Sequence, residues 1–238
     1  MISKEALDNK YKALESSRRV QLAISKATAL FMFKSTYEPA KNYANLSVDY
    51  DCINHIGIEY IDLGCRYFAL EDYSSSSACF TKGAECLETI HSIKENELSY
   101  SNYYGLLASL AFYAGFQYSR SFVLIKKFEE ETPIASLLSL FLKRNFRELT
   151  DKAEEMAISQ GYNDNQLSKA DDVEESCGKV FEISIAKSLY SIIQYFYTGE
   201  DSLIDTAKEK LNALLDIAKL ENLVDLWWVV RLILIIVD

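Results

Sequence analysis

The chain has 238 residues and a formal net charge of −10, and 49% of its residues are hydrophobic, 13% aromatic and 25% charged. This composition excludes a disordered chain, and the acidic balance means that nucleic-acid binding would depend on a local basic patch. Eight glycines and two prolines are too few for the many turns of a sheet protein, because these residues together usually make up roughly 12% of a chain. The composition therefore predicts an all-α protein.

The first ten residues and the cysteines bear on the compartment. The N-terminal stretch is polar and lacks the apolar run of a signal peptide, and the five cysteines form no C-x-x-C pair. The apolar run from Leu226 to Val237 contains Arg231 and is shorter than the roughly 20 residues that a membrane span needs. We therefore expect a cytoplasmic protein with reduced thiols and no membrane contact, in which this run forms a buried core helix.

Helical spacing of apolar residues begins near the N-terminus. Residues 4–33 carry it with an interruption at "ESSRR", so one long helix or two shorter ones fit; residues 34–47 predict a loop, and residues 48–70 a helix. Counting from Gly57, the chain then matches the tetratricopeptide consensus, in which small residues let two antiparallel helices approach. The matching residues are Tyr60, Leu63, Gly64, Tyr67, Ser76, Phe80 and Gly83, whereas Glu88 stands where proline is usual.

Two weaker copies of this helix pair come next. The first covers residues 99–128 with Gly115 at its turn, and the second covers residues 136–156 with Asn145-Phe146 at its turn. Because both copies are degenerate, we predict antiparallel helix pairs stacked as a degenerate TPR-like α-α array rather than a regular repeat protein.

The most polar stretch of the chain is residues 159–176, which predicts a loop. Beyond it, apolar spacing predicts helices near 181–196 and 203–219, the second capped by Asp201-Ser202. We predict a single all-helical domain over 1–238, with a subdivision into a helical-repeat part (1–158) and C-terminal helices (177–238) as the alternative.

Two short motifs could carry chemistry, but each has a simpler explanation. Cys52, His55 and Glu59 share a helix face at ligand spacing, yet three ligands on one helix rarely converge on one ion, and a partly buried histidine beside a free cysteine is favoured. Ser184 and Lys187 match S-x-x-K without the companion motifs of that enzyme class. We therefore predict no catalytic residue, no cofactor and no metal.

Basic residues cluster at the ends of successive predicted helices. They are Lys126, Lys127, Lys143, Arg144 and Arg147. They could form a phosphate-binding patch, and the alternative is that cations favour helix C-termini. The aromatic residues between 100 and 118 could stack on bases, but their helical spacing favours core packing. Protein is therefore the expected partner, with nucleic acid as a weaker candidate.

Three segments, "FYAGFQYSRSFVLIKKF", "YFYTGEDSLIDTAKEKL" and "LWWVVRLIL", resemble parts of one family. The family is the all-helical N-terminal region of large bacterial DEAD/DEAH-box helicases of the Ski2-like kind, several of which are found among phage-defence genes. Gly199-Glu200, residues 211–215 and Leu226-Trp227-Trp228 fill the places of its glycine-acid turn, leucine-rich helix and Leu-Trp-Trp segment. The resemblance implies that a motor would come after this region, but this chain has no motor motif, so no ATPase activity carries over.

These observations favour two functions. The first is a non-catalytic helical accessory domain, the N-terminal part of such a helicase, in which Trp227 and Trp228 pack inside the domain or dock against a neighbouring domain. The alternative is a free-standing TPR-like adaptor that binds a partner protein or peptide. An enzyme is the least favoured class, because the sequence offers no set of acid, base and nucleophile.

Overall fold

The computed structural model describes residues 3–34, 50–94, 101–127, 133–159, 173–221 and 223–238. Within these ranges the chain forms α-helices joined by turns, with no strand, which confirms the all-α prediction. The helices are α1 (Lys4–Lys34), α2 (Tyr50–Phe68), α3 (Tyr73–Lys94), α4 (Ser101–Ala114), α5 (Tyr118–Ile125), α6 (Pro133–Leu142), α7 (Phe146–Ser159), α8 (Val173–Thr198), α9 (Asp201–Leu220) and α10 (Val224–Val237).

The bounds of the helices settle several sequence predictions. Helix α1 continues through "ESSRR", so one long helix is correct. The loop predicted at 34–47 lies almost wholly outside the described residues. Of the loop predicted at 159–176, residue 159 ends α7 and residues 173–176 form the first turn of α8. The predicted cap at Asp201-Ser202 is wrong: no side chain caps α9, and the Ser202 hydroxyl donates to the Glu200 carboxylate at 2.7 Å.

The chain divides into two compact units, Met1–Gln117 and Tyr118–Asp238. The first contains α1 to α4 and the second contains α5 to α10. The subdivision predicted at 159–176 falls inside the second unit and mostly on residues that are not described, so it stays a prediction. The same holds for the TPR-like stacking of the helix pairs.

In the first unit, α2 packs against α3, and α3 packs against α4. A Cβ atom at Gly64 would lie 2.8 Å from the Phe80 ring, and one at Gly83 would lie 2.9 Å from the Gly57 carbonyl oxygen. Ser76 donates a hydrogen bond to the Gly64 carbonyl oxygen at 2.9 Å. The small residues of the consensus match therefore bring the two helices into contact, as the sequence predicts.

Three of the turns between helices share one backbone geometry. They are Glu71-Asp72-Tyr73, Phe116-Gln117-Tyr118 and Arg144-Asn145-Phe146. In each, the first residue has a positive φ near 60°, the second donates its N–H to the carbonyl five residues earlier, and the third is an aromatic residue that begins the next helix. This is the Schellman ending of a helix, in which glycine usually occupies the first place. The same turn geometry therefore recurs at the three places where the sequence predicts a turn within a helix pair.

In the second unit, α8 packs against α6, α7 and α9, and α9 packs against α10. From Trp228 to Ile235, every side chain except that of Arg231 is buried, so α10 is the core helix that its apolar run predicts. The Asp238 carboxylate forms an ion pair with Lys208 at 2.5 Å. In the described part of the chain, no helix combines the length and the apolar character that crossing a membrane requires.

Candidate interaction surfaces

Helix α1 lies against α2 and α3 through a cluster of polar side chains centred on Glu15. The Glu15 carboxylate accepts hydrogen bonds from the Lys82 ammonium at 2.5 Å and from the Tyr60 hydroxyl at 3.1 Å. Lys82 also donates to the Tyr11 hydroxyl at 2.5 Å, and the rings of Tyr11 and Tyr60 meet edge to face with centroids 5.9 Å apart. Arg19 adds a further bond to Glu15 at 3.1 Å from within α1. One carboxylate thus joins α1 to both neighbouring helices.

The electrostatics of this cluster favour the charged forms of Glu15 and Lys82. Burial opposes ionisation of Glu15, but hydrogen bonds from Lys82, Arg19 and Tyr60 outweigh it and lower the pKa of its carboxyl to about 2. Burial lowers the pKa of Lys82, but hydrogen bonds with Glu15 and Tyr11 raise it above its ordinary value overall. Burial and the neighbouring Glu15 charge raise the pKa of Tyr60, so its hydroxyl stays protonated and remains a donor.

Further polar contacts extend this α1 interface along the helix from Lys4 to Arg18. The Tyr67 hydroxyl donates to the Asp8 carboxylate at 2.5 Å, and burial together with that bond raises the pKa of Tyr67. The ion pairs are Lys4 with Asp72 at 2.6 Å, Lys10 with Glu59 and with Asp62 at 3.5 Å, and Arg18 with Glu85. Each pair joins α1 to α2, to α3 or to the turn between them.

Packing beside this interface is incomplete. An open cavity of about 340 Å³ lies between α1 and the start of α3, next to Asp8, Tyr11, Tyr67 and Ser74. Among the α1 residues whose side chains are described, 4–19, Leu7 is the one buried hydrophobic residue. Polar contacts therefore dominate the attachment of this part of α1, and apolar packing contributes little.

A different surface lies where α9 ends and α10 begins. Ile217, Leu220 and Val224 are 41%, 82% and 55% exposed. The first two are three residues apart on α9 and so share a face, and the turn after them is closed by the Leu223 N–H donating to the Ala218 carbonyl at 2.8 Å. We call these three residues the C-terminal apolar patch.

The two tryptophans lie just after this patch. Trp227 is half-buried and Trp228 is buried, and their rings meet edge to face with centroids 4.6 Å apart. Trp228 therefore packs inside the second unit, which is one of the two roles predicted for this pair. Trp227 lies three residues after Val224, which places it on the same face of α10 as that patch residue.

The predicted basic residues all have exposed side chains. Lys126 and Lys127 come after α5, Lys143 and Arg144 come after α6, and Arg147 lies in the first turn of α7. The structure thus brings Lys143, Arg144 and Arg147 together at one turn. Helix dipoles explain cations after the ends of α5 and α6, but a cation in the first turn of α7 is unfavourable to the dipole.

Phe146, which lies between Arg144 and Arg147, contacts two aromatic rings of α8. The ring of Phe146 stacks on that of Phe196, with centroids 5.7 Å apart and an angle of 10°, and meets Tyr197 edge to face at 6.1 Å. Phe196 and Tyr197 are 61% and 67% exposed. We call these three residues the aromatic platform. By contrast, the prediction that the aromatics of 100–118 are core residues holds for Phe112 but not for Phe116 and Tyr118, which the turn between α4 and α5 leaves exposed.

The motifs weighed for chemistry do not assemble into a site in the described residues. The His55 side chain is 75% exposed and lies 3.9 Å from Glu59, so the prediction of a partly buried histidine is wrong. The Cys52 side chain and His91 lie outside the described side chains. Among described residues, no group of three or more potential ligands could hold a metal. Lys187 points to solvent, and the Ser184 carbonyl accepts the Ser188 hydroxyl at 2.8 Å.

Two buried cysteines bear on the predicted redox setting. Burial raises the pKa of the Cys79 thiol to about 12 and that of the Cys86 thiol to about 11. Both thiols are unbridged. A thiol reacts mainly as the thiolate, so these two side chains act as small core residues.

Sequence reasoning missed both the α1 interface and the aromatic platform. Their members are far apart in the chain: 67 residues separate Lys82 from Glu15, and 59 separate Tyr67 from Asp8. One signal was nevertheless present. The consensus match predicts that Tyr60 and Tyr67 are buried, and a buried tyrosine hydroxyl usually requires a hydrogen-bond partner, which the polar face of α1 could supply.

Comparison with known proteins finds a similarity along nearly the whole chain. No family model matches the sequence. The chain is similar to Hachiman protein HamB of Bacillus cereus, with 29% identity over 236 residues, which are 98% of this chain and 20% of HamB. The chain therefore spans about one fifth of the length of this curated relative.

This similarity overturns the resemblance to the N-terminal region of Ski2-like DEAD/DEAH-box helicases. The relative that aligns with the chain is HamB, and neither a tetratricopeptide nor a helicase family model matches. The physical reason is that a small-residue turn, a leucine-rich helix and a Leu-Trp-Trp segment meet the packing needs of many helical proteins. Such short patterns do not distinguish one helical family from another, whereas the alignment over 236 residues connects this chain with Hachiman protein HamB.

Proposed function

We propose that this chain is a non-catalytic helical module that binds a partner protein and acts in bacterial anti-phage defence. The similarity to Hachiman protein HamB over 98% of the chain supports the defence setting. The C-terminal apolar patch is the observation that supports the binding role. In this role the chain acts as an adaptor and not as part of a helicase.

The chemistry of the C-terminal apolar patch suits a protein partner. Large hydrophobic side chains that are exposed together commonly mark a site of protein contact. Leu220 is 82% exposed and lies between Ile217 and Val224 in the sequence, and the charged residues Asp216, Lys219 and Glu221 of the same segment are also exposed. An apolar centre with a polar rim is the usual anatomy of such an interface, and the partly exposed ring of Trp227 could serve as an anchor.

The proposal assigns no reaction to the chain. Lys187 is exposed and therefore lacks the apolar surroundings that activate a lysine as a base. His55 is also exposed, with Glu59 as its neighbour on the same helix. Neither Lys187 nor His55 is therefore assigned a catalytic role.

A photo-crosslinking experiment during phage challenge tests this function. A crosslinking amino acid at position 220 should capture one protein, whereas the same group at Asn212, an exposed position about 12 Å further back along α9, should capture none. Leu220→Glu should abolish phage resistance, whereas Asn212→Glu, which adds the same charge, should leave it intact. Full resistance in the Leu220→Glu strain, together with no crosslink at 220, would reject the proposal.

The aromatic platform favours a second candidate function, contact with single-stranded nucleic acid. Exposed aromatic rings stack on bases, and the neighbouring Lys143, Arg144 and Arg147 could neutralise phosphates. Lys126 and Lys127 would add to the charge if they face the same strand. Glu200 and Asp201, which lie soon after the platform residue Tyr197, oppose this function because both are exposed carboxylates.

An oligonucleotide titration at low salt decides this second candidate. Fluorescence anisotropy of a labelled single strand should rise with the wild-type chain, and Phe196→Ala or Arg147→Gln should each weaken binding by roughly tenfold. Lys210→Gln, a change of the same charge on α9, serves as the control. Unchanged anisotropy with the wild-type chain removes the platform and the basic patch as a nucleic-acid site.

A further inference from the structure

The contacts that hold α1 against α2 and α3 would allow another helix to take its place. Three side chains of α1 at spacing i, i+3 and i+7, Asp8, Tyr11 and Glu15, form its central contacts with α2 and α3. This spacing places all three on one face of the helix. These contacts are hydrogen bonds of carboxylate and hydroxyl groups, so water can take the place of each partner when the helix leaves.

The receiving face is complementary to that pattern. Lys82 of α3 holds both Tyr11 and Glu15, the Tyr60 hydroxyl of α2 also bonds Glu15, and the Tyr67 hydroxyl of α2 bonds Asp8. One ammonium and two hydroxyl donors therefore face two carboxylates and one phenol. This set recognises a particular order of side chains, because a helix with apolar residues in these places would leave three partly buried donors unpaired.

Packing around the contact leaves room for a different helix. The cavity of about 340 Å³ runs beside Asp8, Tyr11 and Tyr67, so α1 does not fill the space between itself and the start of α3. Leu7 is the buried hydrophobic residue among residues 4–19, so apolar burial gives this part of α1 little advantage over a competitor.

We propose that the face of α2 and α3 beneath α1 is a binding groove for a helix of a partner protein that carries Asp, Tyr and Glu at i, i+3 and i+7, and that α1 is its resident competitor. A partner helix with this pattern displaces α1 and makes the same bonds to Lys82, Tyr60 and Tyr67. The groove lies in the first unit and does not depend on the C-terminal apolar patch, so each of the two sites can be rejected without rejecting the other.

A peptide competition with the full chain tests the groove. The probe is a fluorescein-labelled peptide with the sequence of residues 3–19. In the wild-type chain, the tethered α1 competes at a high effective concentration and keeps the peptide out. Asp8→Asn with Glu15→Gln weakens the tethered helix and leaves the groove unchanged, so this chain should bind the peptide at least tenfold more tightly than the wild type by anisotropy.

Three controls make the result specific. Glu5→Gln removes a carboxylate from an exposed position of the same helix, so it should bind the peptide no better than the wild type. Lys82→Met added to the weakened chain should abolish the gain, and a peptide with Asn and Gln at positions 8 and 15 should not bind. Circular dichroism establishes that each variant is folded; if the double variant is not, Glu15→Gln alone takes its place.

Hydrogen exchange of the wild-type chain provides an independent measurement. If α1 exchanges as a releasable helix, its amides between residues 8 and 18 should exchange at least tenfold faster than those of α2 and α3. Equal protection of α1, α2 and α3 would overturn the proposal, as would equal peptide affinity for the wild-type and weakened chains. If no partner is crosslinked at position 220, the peptide competition and the hydrogen exchange of α1 remain valid tests of the groove.

Discussion

The first and last helices of the chain, α1 and α10, are held in their own units by opposite kinds of interaction. Along α1, the described contacts are hydrogen bonds and ion pairs around Asp8 and Glu15, with Leu7 buried. Along α10, the side chains from Trp228 to Ile235 are buried and apolar except for Arg231. Burial of one large apolar side chain and a hydrogen bond to a charged group each contribute about 1.5–3 kcal/mol, but α10 buries seven apolar side chains between Trp228 and Ile235. Helix α10 is therefore part of the core of its unit, whereas residues 4–19 of α1, the part with described side chains, are the more easily exchanged.

The largest effect is expected in α10. Leu232→Ala should lower the free energy of unfolding of the second unit by about 2–5 kcal/mol, because Leu232 is fully buried and its loss leaves a cavity. Both tryptophans of the chain lie on α10, so urea unfolding followed by tryptophan fluorescence reports on this unit directly. Ile236→Ala, at a half-buried position of the same helix, should cost clearly less. Equal losses at the two positions would show that α10 is not packed as a core helix.

A smaller effect is expected in α1. Glu15→Gln should destabilise the docking of α1 by about 1–3 kcal/mol, because it removes a charged acceptor and leaves the Lys82 ammonium without its carboxylate. Hydrogen exchange of the α1 amides measures this loss, and Glu5→Gln should change it by less than about 0.5 kcal/mol. In a double-mutant cycle with Lys82→Met, the two losses should not add, since both variants remove the same contact. Additive losses would mean that Glu15 and Lys82 act separately.

The pH dependence of α1 is set by the same residue. The pKa of the Glu15 carboxyl is about 2 in the folded chain, below its unfolded value of about 4.3, so the unfolded chain binds the proton first as the pH falls. The stability that Glu15 contributes is therefore complete above the unfolded pKa and is lost as the pH falls from about 4.3 to about 2. The difference in α1 docking between wild type and Glu15→Gln should shrink over this window when followed by circular dichroism in urea. A difference that stays constant down to pH 2 would contradict the assignment.

How well the sequence predicts each helix depends on whether apolar packing or polar pairing holds that helix. Apolar spacing is local, so it predicts the buried faces of α2, α3 and α10, including Tyr60, Tyr67 and Phe80. Polar pairing is not local: nothing near Glu15 in the sequence indicates Lys82, and nothing near Phe146 indicates Phe196. The repeated turns are only partly predictable, because Glu71 and Arg144 adopt a left-handed backbone that usually indicates glycine. The basic residues can be found as helix-end cations, but the aromatic platform beside them needs the fold.

The smallest effect on stability is expected at Leu220, and it separates exposed apolar surface from apolar core. Leu220→Ser removes a leucine as large as Leu232, yet Leu220 is 82% exposed, so little contact with the unit is lost. The free energy of unfolding, measured in urea by tryptophan fluorescence, should change by less than about 0.5 kcal/mol. Such a result, combined with loss of the crosslinked partner, would mean that the leucine serves binding and not folding. A loss above roughly 1 kcal/mol would instead place Leu220 in the packing between α9 and α10, and the C-terminal apolar patch would then be an extension of the core that α10 forms.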